Sequence, residues 1–304
     1  MRRRAFISAL HKGLLTLAAG IFTHRMSGKT HMDMALDRVK KGLSFSFEVY
    51  DELTIRNNPT TQVAIHIDQW PGQVPLLWLP ESVGGLWVQW DPAVAHQDFM
   101  NSASGGLYWK FAKNPKINII SSLVPRSNSL LLEVRVKNTS ESDLREIVAQ
   151  NCIILSRAPD FACDDFSRLY IHTNGEWRSL KALGVTDDLP MFYRPGFLES
   201  GRKDAWGGRF TSHNQGARAD QALMMCTSKR GGRTIGTASD NYQCVFHNHG
   251  IRYLLCIHSQ QAPIPILRPA EEVSFRQVVY FVEGGIQECV LQFQEDVRSG
   301  FLKT

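Results

Sequence analysis

Apolar and polar residues alternate along most of the chain after Gly42, as they do in strands with one buried face. The alternation is clearest in four runs: LSFSFEVY (43–50), TTQVAIHIDQW (60–70), LLLEVRVKN (130–138) and EVSFRQVVYFVEGG (272–285). Each run therefore predicts a β-strand that turns alternate side chains toward a core.

Three further stretches predict β-hairpins. RLYIHTNGEWRSL (168–180) turns at Asn174-Gly175, a pair that suits a type I′ turn because both central residues need positive φ. ALMMCTSKRGGRTIGTA (222–238) turns at 229–232. FHNHGIRYLLCIH (246–258) has a turn signal in Asn-His-Gly, which predicts a hairpin centred on residues 248–249.

Helical periodicity is confined to residues 33–41 and 285–298. The chain shows no repeat with a period of 20–50 residues, which argues against a propeller or a solenoid. Many strands with closely spaced turn signals, and no alternation of strands with helices, predict an all-β fold. We expect a large antiparallel β-sandwich, like a supersandwich, with a short C-terminal helix.

The N-terminus has the pattern of an export signal. A basic start precedes a short apolar stretch, and Arg3-Arg4-Ala5-Phe6-Ile7 matches a twin-arginine signal. This predicts a signal peptide at 1–24, a linker at 25–41, a single β-sandwich domain at 42–304, and a periplasmic or secreted location without a stable membrane span after removal of the leader. A basic amphipathic helix on a cytosolic protein is the alternative interpretation.

Charge is unevenly distributed along the chain. The first 41 residues hold nine Lys/Arg and two Asp/Glu, a net charge of +7. Because the whole chain has a net charge of +5, the remaining residues carry 5 − 7 = −2. The body therefore lacks the basic excess of a nucleic-acid-binding protein, and we predict no nucleic-acid partner. No P-loop, dinucleotide fingerprint, H-E-x-x-H or G-x-S-x-G motif occurs, and we predict no cofactor.

The six cysteines include no C-x-x-C pair, which disfavours a zinc ribbon or a thioredoxin-like site. Some could form disulfides in an oxidising compartment. Cys226, Cys244 and Cys256 lie within apolar runs, which favours buried free thiols that pack as small hydrophobic groups.

Two stretches resemble galactose mutarotase-like β-supersandwich proteins. SLLLEVRVKNTSESDLREIVAQNCIIL (129–155) resembles a strand that ends in N-x-S/T and returns as a ligand-facing strand, and PILRPAEEVSFRQVVYF (265–281) resembles the loop and strand near the C-terminus. The resemblance implies a twisted sandwich that holds a sugar on a concave face, within a group of exported bacterial proteins. It departs at QNCIIL (150–155), where the family places a catalytic histidine and this chain has none, so epimerase chemistry is not carried over.

His258 and Asp240 are the predicted catalytic residues. A hairpin centred on 248–249 places His258 opposite Ser239 and beside Asp240. A carboxylate next to a histidine fixes its tautomer and raises its pKa, which prepares a general acid or base. A structural hydrogen bond at the end of the strand is the alternative.

The predicted substrate-binding residues lie in two loops. Asp204, Trp206 and Arg209 combine a flat aromatic ring with charged hydrogen-bonding groups, as sugar recognition requires. His247, His249 and Arg252 belong to the hairpin turn. A metal site at His247 and His249 would need ligands from elsewhere, such as His66, His172 or His213. We predict no metal.

These features predict an exported protein that binds or processes an oligo- or polysaccharide. The alternative is a non-catalytic envelope module that binds another protein through its loops.

Overall fold

The computed structural model describes residues 42–55, 58–84, 97–112, 114–163, 165–201, 213, 216–249 and 255–304. The predicted leader, linker and helix at 33–41 lie outside the described residues, as do Asp204, Trp206, Arg209 and Arg252.

Strands dominate the described residues, and a single helix is described near the C-terminus. The elements are β1 Phe45–Ile55, β2 Asn58–Ile67, β3 Leu76–Val83, β4 Met100–Asn101, β5 Leu107–Phe111, β6 Ile117–Arg126, β7 Ser129–Asn138, β8 Leu144–Ile147, β9 Ala149–Ile154, β10 Leu169–Thr173, β11 Glu176–Ser179, β12 Met191–Tyr193, β13 Met224–Thr227, β14 Arg233–Ser239, β15 Tyr242–Asn248, β16 Cys256–Gln261, β17 Ile264–Leu267, β18 Glu272–Glu283 and α1 Ile286–Arg298. No described helix is long and apolar enough to cross a membrane.

The strands form two large sheets and one small one. The seven-stranded sheet has the order β1-β2-β3-β9-β16-β15-β12, and the nine-stranded sheet has the order β11-β10-β13-β14-β18-β7-β6-β5-β4. Strands β17 and β8 pair separately. Neighbouring strands run antiparallel. The predicted all-β sandwich is confirmed.

Two of the predicted hairpins are confirmed. Thr173 pairs with Glu176, and Asn174 and Gly175 between them have φ angles of 53° and 81°, as a type I′ turn requires. Strands β13 and β14 pair from Thr227↔Thr234 outward, so their turn lies close to the predicted residues 229–232.

The third hairpin has a different register from the predicted one. Phe246 pairs with His258, and Asn248 pairs with Cys256. The connection therefore spans seven residues, 249–255, and the predicted turn centred on 248–249 was wrong. The Asn-His-Gly signal correctly marks the end of β15 near Asn248, but it does not predict the length of the connection that follows.

The main hydrophobic core contains alternate residues of both large sheets. Val63, Ile153 and Ile257 of the seven-stranded sheet belong to the same cluster as Leu132 and Val279 of the nine-stranded sheet. The intervening residues of the seven-stranded sheet form separate apolar clusters, and these include Trp78, Cys152 and Cys256. We call the two sides of this sheet its inner face, in the main core, and its outer face.

Helix α1 confirms the predicted C-terminal helix. It begins after Gly285, whose backbone N–H donates to the Glu288 carboxylate over 3.0 Å. Near its other end, buried Asp296 accepts two hydrogen bonds of 3.0 Å from Arg126 and one of 3.0 Å from the Tyr280 hydroxyl. Bidentate contact with a guanidinium fixes the orientation of the helix against β6 and β18.

Candidate functional site

Buried polar side chains collect on the outer face of the seven-stranded sheet. Cys256 and His258 alternate on β16, and Gln150 and Cys152 alternate on the adjacent strand β9, so all four side chains reach the same face. Glu81 from β3 joins them. We call these five residues the polar cluster, and all five are buried.

Direct contacts link the members of the polar cluster. The Glu81 carboxylate lies 4.0 Å from Nδ1 of His258 and accepts a hydrogen bond from the Gln150 amide. Nδ1 of His258 lies 3.2 Å from the Asn151 carbonyl oxygen, and Nε2 lies 3.0 Å from the Cys256 sulfur. A proton on Nδ1 would satisfy the Asn151 carbonyl and leave the Nε2 lone pair directed toward the sulfur.

Burial and mutual charge shift the pKa values within the polar cluster. Burial raises the pKa of Glu81 to about 7, against the opposing influence of His258. Burial disfavours the Cys256 thiolate, but the hydrogen bond from Cys152 and the charge of His258 outweigh it and lower the pKa of Cys256 to about 6. Burial would lower the pKa of His258, but the neighbouring Cys256 and Glu81 raise it. A carboxyl, a thiol and an imidazole with shifted pKa values in contact are typical of a functional site.

Aromatic rings border the polar cluster. The Phe246 ring stacks on the His258 imidazole with a centroid distance of 4.0 Å and an interplanar angle of 4°. Trp78 pairs with Cys152 across β3 and β9 and is fully buried. The outer face therefore combines flat apolar surfaces with hydrogen-bonding groups.

Asp240 and His258 do not form the predicted pair. The Asp240 carboxylate lies 3.7 Å from Arg276 and accepts a hydrogen bond of 2.8 Å from the backbone N–H of Lys303. His258 instead contacts Glu81, Asn151 and Cys256. The prediction was wrong because it rested on a tight-turn register, whereas the observed register places Phe246 opposite His258. The carboxylate near His258 comes from β3.

His247 and His249 lie together, as predicted, but His247 is on the opposite face of the sheet from His258. Their ring centroids are 5.9 Å apart, and Phe166 packs against both rings. Neither ring nitrogen of His247 has a hydrogen-bond partner in the part of the chain that the structure describes. Burial, with a smaller influence of His249 and His258, lowers the pKa of His247 to about 3.

The three histidines considered as additional metal ligands have carboxylate neighbours instead. His66 lies 3.3 Å from Glu48, His172 lies 3.2 Å from Asp220, and His213 lies 3.1 Å from Asp187. In the described part of the chain, no group of potential metal ligands includes any of these three histidines, His247 or His249.

An open cavity lies elsewhere on the molecule. It has a volume of about 650 Å³ and is lined by Arg194, Asp220, Tyr242, Phe293 and Arg298, among others. This size is ordinary for a small-molecule site. The cavity holds none of the polar cluster, so the cavity and the polar cluster are in different places.

Sequence reasoning missed Glu81, Gln150 and Cys152, because they meet His258 only through pairing of strands that are far apart in the chain. One local signal was available. Cys256 and His258 are two residues apart in a strand, so they share a face and pair a thiol with an imidazole, two groups that bind zinc. Within QNCIIL, the sulfur of Cys152 lies within 4.8 Å of a ring nitrogen of His258 on β16.

No family model matches the chain, and no curated protein matches it. Among solved structures, it is similar to a galactose mutarotase related enzyme from Lactobacillus acidophilus, with 11% identity, a TM-score of 0.47, and coverage of 78% of this chain and 98% of that one. It is also similar to galactose 1-epimerase from Lactobacillus acidophilus, with 9% identity, a TM-score of 0.44, and coverage of 79% of this chain and 100% of that one. A galactose mutarotase-like protein from Clostridium acetobutylicum is similar with 10% identity, a TM-score of 0.42, and coverage of 80% of this chain and 99% of that one. The likeness is one of fold.

Proposed function

We propose that this chain is an exported protein that binds and processes a small carbohydrate on the outer face of the seven-stranded sheet. The observation that carries the proposal is the buried Glu81–His258 pair, with its 4.0 Å separation between carboxylate and imidazole. Such a pair is suited to moving a proton to or from a sugar hydroxyl or ring oxygen.

The surroundings of the pair suit a sugar. The side-chain amides of Gln150 and Gln260 are buried nearby, and each has a carbonyl oxygen without a hydrogen-bond partner among the described residues. Amide groups match the hydroxyl groups of a sugar, and the rings of Trp78 and Phe246 offer flat surfaces for its C–H faces. The resemblance of residues 129–155 to a ligand-facing strand supports the same location.

Glu81 and His258 have different roles in this proposal. Glu81 is the proton-transfer group in this proposal. The Gln150 amide donates a hydrogen bond to its carboxylate and holds it in place, and further lone pairs of the carboxylate can accept a proton. His258 is a positioning residue whose Nδ1 lies 3.2 Å from the Asn151 carbonyl oxygen and 4.0 Å from the Glu81 carboxylate. Their side chains are only 9% and 2% exposed, so little space is open to a ligand beside them. That restriction favours a small sugar or a chain end over the middle of a polymer.

A calorimetric screen against mono-, oligo- and polysaccharides tests the proposal. We expect at least one small glycan to bind, and we expect Glu81→Gln to weaken that binding at least tenfold. Glu48→Gln is the matched control, because Glu48 also lies beside a histidine of the same sheet, 3.3 Å from His66, but is exposed. Absence of binding to every glycan, together with a protein that copurifies, would instead favour the interaction module.

Export is a separate part of the proposal and has its own test. The support is the twin-arginine pattern at Arg3 and Arg4. We expect fractionation of expressing cells to place the wild-type chain outside the cytoplasm. The double substitution of Arg3 and Arg4 by lysine should retain it inside. An unchanged distribution for the double variant would contradict export by this route.

A further inference from the structure

We propose that Cys152, Cys256 and His258 bind a zinc ion on the outer face of the seven-stranded sheet. The proposal goes beyond the carbohydrate function and does not depend on it. The two sulfurs and a ring nitrogen of His258 lie within 4.8 Å of one another, and all three residues are buried.

The strand pairing brings these ligands together. Strands β9 and β16 are antiparallel, with Ile153 opposite Ile257 and Ile154 opposite Cys256. One further step in this register brings Cys152 opposite His258. Alternation then points Cys152, Cys256 and His258 to the same face, so the backbone of two central strands sets their spacing.

The separations suit a tetrahedral thiolate–imidazole site. Zinc binds sulfur at about 2.3 Å and imidazole nitrogen at about 2.0–2.1 Å, which separates neighbouring ligand atoms by roughly 3.5–3.8 Å. The observed limit of 4.8 Å and the 3.0 Å between Nε2 of His258 and the Cys256 sulfur bracket that value. Small side-chain rotations would therefore seat the ion.

The second shell of His258 is already arranged for a metal ligand. Metal-binding histidines usually donate their other ring N–H to a carbonyl or a carboxylate, which fixes the tautomer. Nδ1 of His258 lies 3.2 Å from the Asn151 carbonyl and 4.0 Å from the Glu81 carboxylate. With the proton on Nδ1, the Nε2 lone pair is free to bind a metal on the side of Cys256.

A disulfide between Cys152 and Cys256 is the competing outcome, and the register disfavours it. Cys256 is opposite Ile154, so the two cysteines are diagonal neighbours. Diagonal positions on adjacent antiparallel strands are about 7–8 Å apart, whereas disulfides rarely bridge Cα atoms more than about 7 Å apart. A metal bridges this gap more easily than a direct S–S bond.

Three protein ligands leave one coordination position for water or another ligand. This number is typical of catalytic rather than structural zinc sites. Within the described ranges, the cluster of potential ligands consists of these three side chains. The site therefore takes one thiolate-preferring divalent ion.

Cobalt(II) titration of the full-length, reduced protein tests the proposal. We expect one cobalt ion to bind per chain, with visible absorption bands of a tetrahedral site and a thiolate-to-cobalt charge-transfer band. Added zinc should displace the cobalt and remove these bands. Cys256→Ser leaves one thiolate, so it should weaken cobalt binding at least a hundredfold and lower the intensity of the charge-transfer band. Cys226→Ser, at a buried cysteine in the other large sheet, should change neither.

The wild-type titration keeps the proposal falsifiable if Cys256→Ser does not fold. A wild-type protein with six titratable thiols and no thiolate–cobalt band would overturn the proposal. A disulfide between Cys152 and Cys256 in freshly purified protein, found by peptide mapping, would also overturn it. The experiment contains no sugar, so its result is separate from the glycan screen.

Discussion

The two faces of the seven-stranded sheet are equally buried but differ in chemistry. On the inner face, alternate positions such as Val63, Ile153 and Ile257 join the main core. On the outer face, the same strands present Gln150, Glu81 and His258, which are also buried. Buried apolar area contributes roughly 25 cal/mol per Å², whereas buried polar groups repay their desolvation only through hydrogen bonds. The inner face is therefore built for stability, and the outer face retains groups that stability alone would not select.

Truncation on the inner face should have the largest effect. Ile257 is fully buried between the two large sheets, so Ile257→Ala should lower the free energy of unfolding by about 2–5 kcal/mol. Urea titration followed by circular dichroism measures this loss. Ile266→Ala is the control, because Ile266 is 40% exposed on β17 and its truncation should cost about 0.5 kcal/mol or less. Equal losses for the two variants would mean that the inner face does not carry the stability.

His247 is a buried titratable residue on the inner face, and it predicts sensitivity to acid. Its pKa is lowered to about 3 by burial, so the folded state holds it neutral while the unfolded state protonates near its ordinary pKa of about 6.5. Its contribution to stability is full above pH 6.5 and is lost as the pH falls toward 3. Between pH 6.5 and 5 the loss should be about 2 kcal/mol.

Urea midpoints of the wild type and of His247→Leu at pH 7, 6 and 5 measure this effect. The variant should lose less stability on acidification than the wild type, because leucine has no proton to take up. Parallel pH profiles for the two proteins would show that His247 does not titrate with unfolding.

A polar-to-apolar change on the outer face should have the smallest effect on stability. The Gln260 amide nitrogen donates to the Ala149 carbonyl over 3.3 Å, and its carbonyl oxygen has no partner among the described residues. Gln260→Leu loses two long hydrogen bonds, to the Ala149 carbonyl and over 3.5 Å to the Gln261 carbonyl, and removes one unsatisfied acceptor. The free energy of unfolding should therefore change by about 1 kcal/mol or less. The same substitution should weaken glycan binding. A large loss of stability would assign Gln260 a structural role.

The sequence predicted individual strands, turns and the helix better than it predicted the outer face of the seven-stranded sheet. Strands such as β7 and β18, the Asn174-Gly175 turn and helix α1 follow from periodicity and turn chemistry, which are local. The polar cluster depends on contacts among β3, β9 and β16, whose residues are up to 177 positions apart, from Glu81 to His258. No local pattern encodes that pairing.

The error in the FHNHGIRYLLCIH hairpin has a specific cause. A turn signal at Asn248-His249-Gly250 favoured a tight turn, whereas the strands pair only from Asn248↔Cys256 outward. A change in register reassigns every cross-strand neighbour. It replaced Ser239 by Phe246 opposite His258 and so replaced Asp240 by Glu81 as the nearby carboxylate. His258 was a sound candidate with the wrong partner.

The most direct test of the outer face as the functional site is a map of backbone amide chemical shifts during titration of the 34.3 kDa protein with the best-binding glycan of the screen. The account predicts that the largest changes fall on β3, β9 and β16, around Glu81, Gln150 and His258. Changes concentrated around Arg194, Tyr242 and Phe293, which line the open cavity, would contradict it.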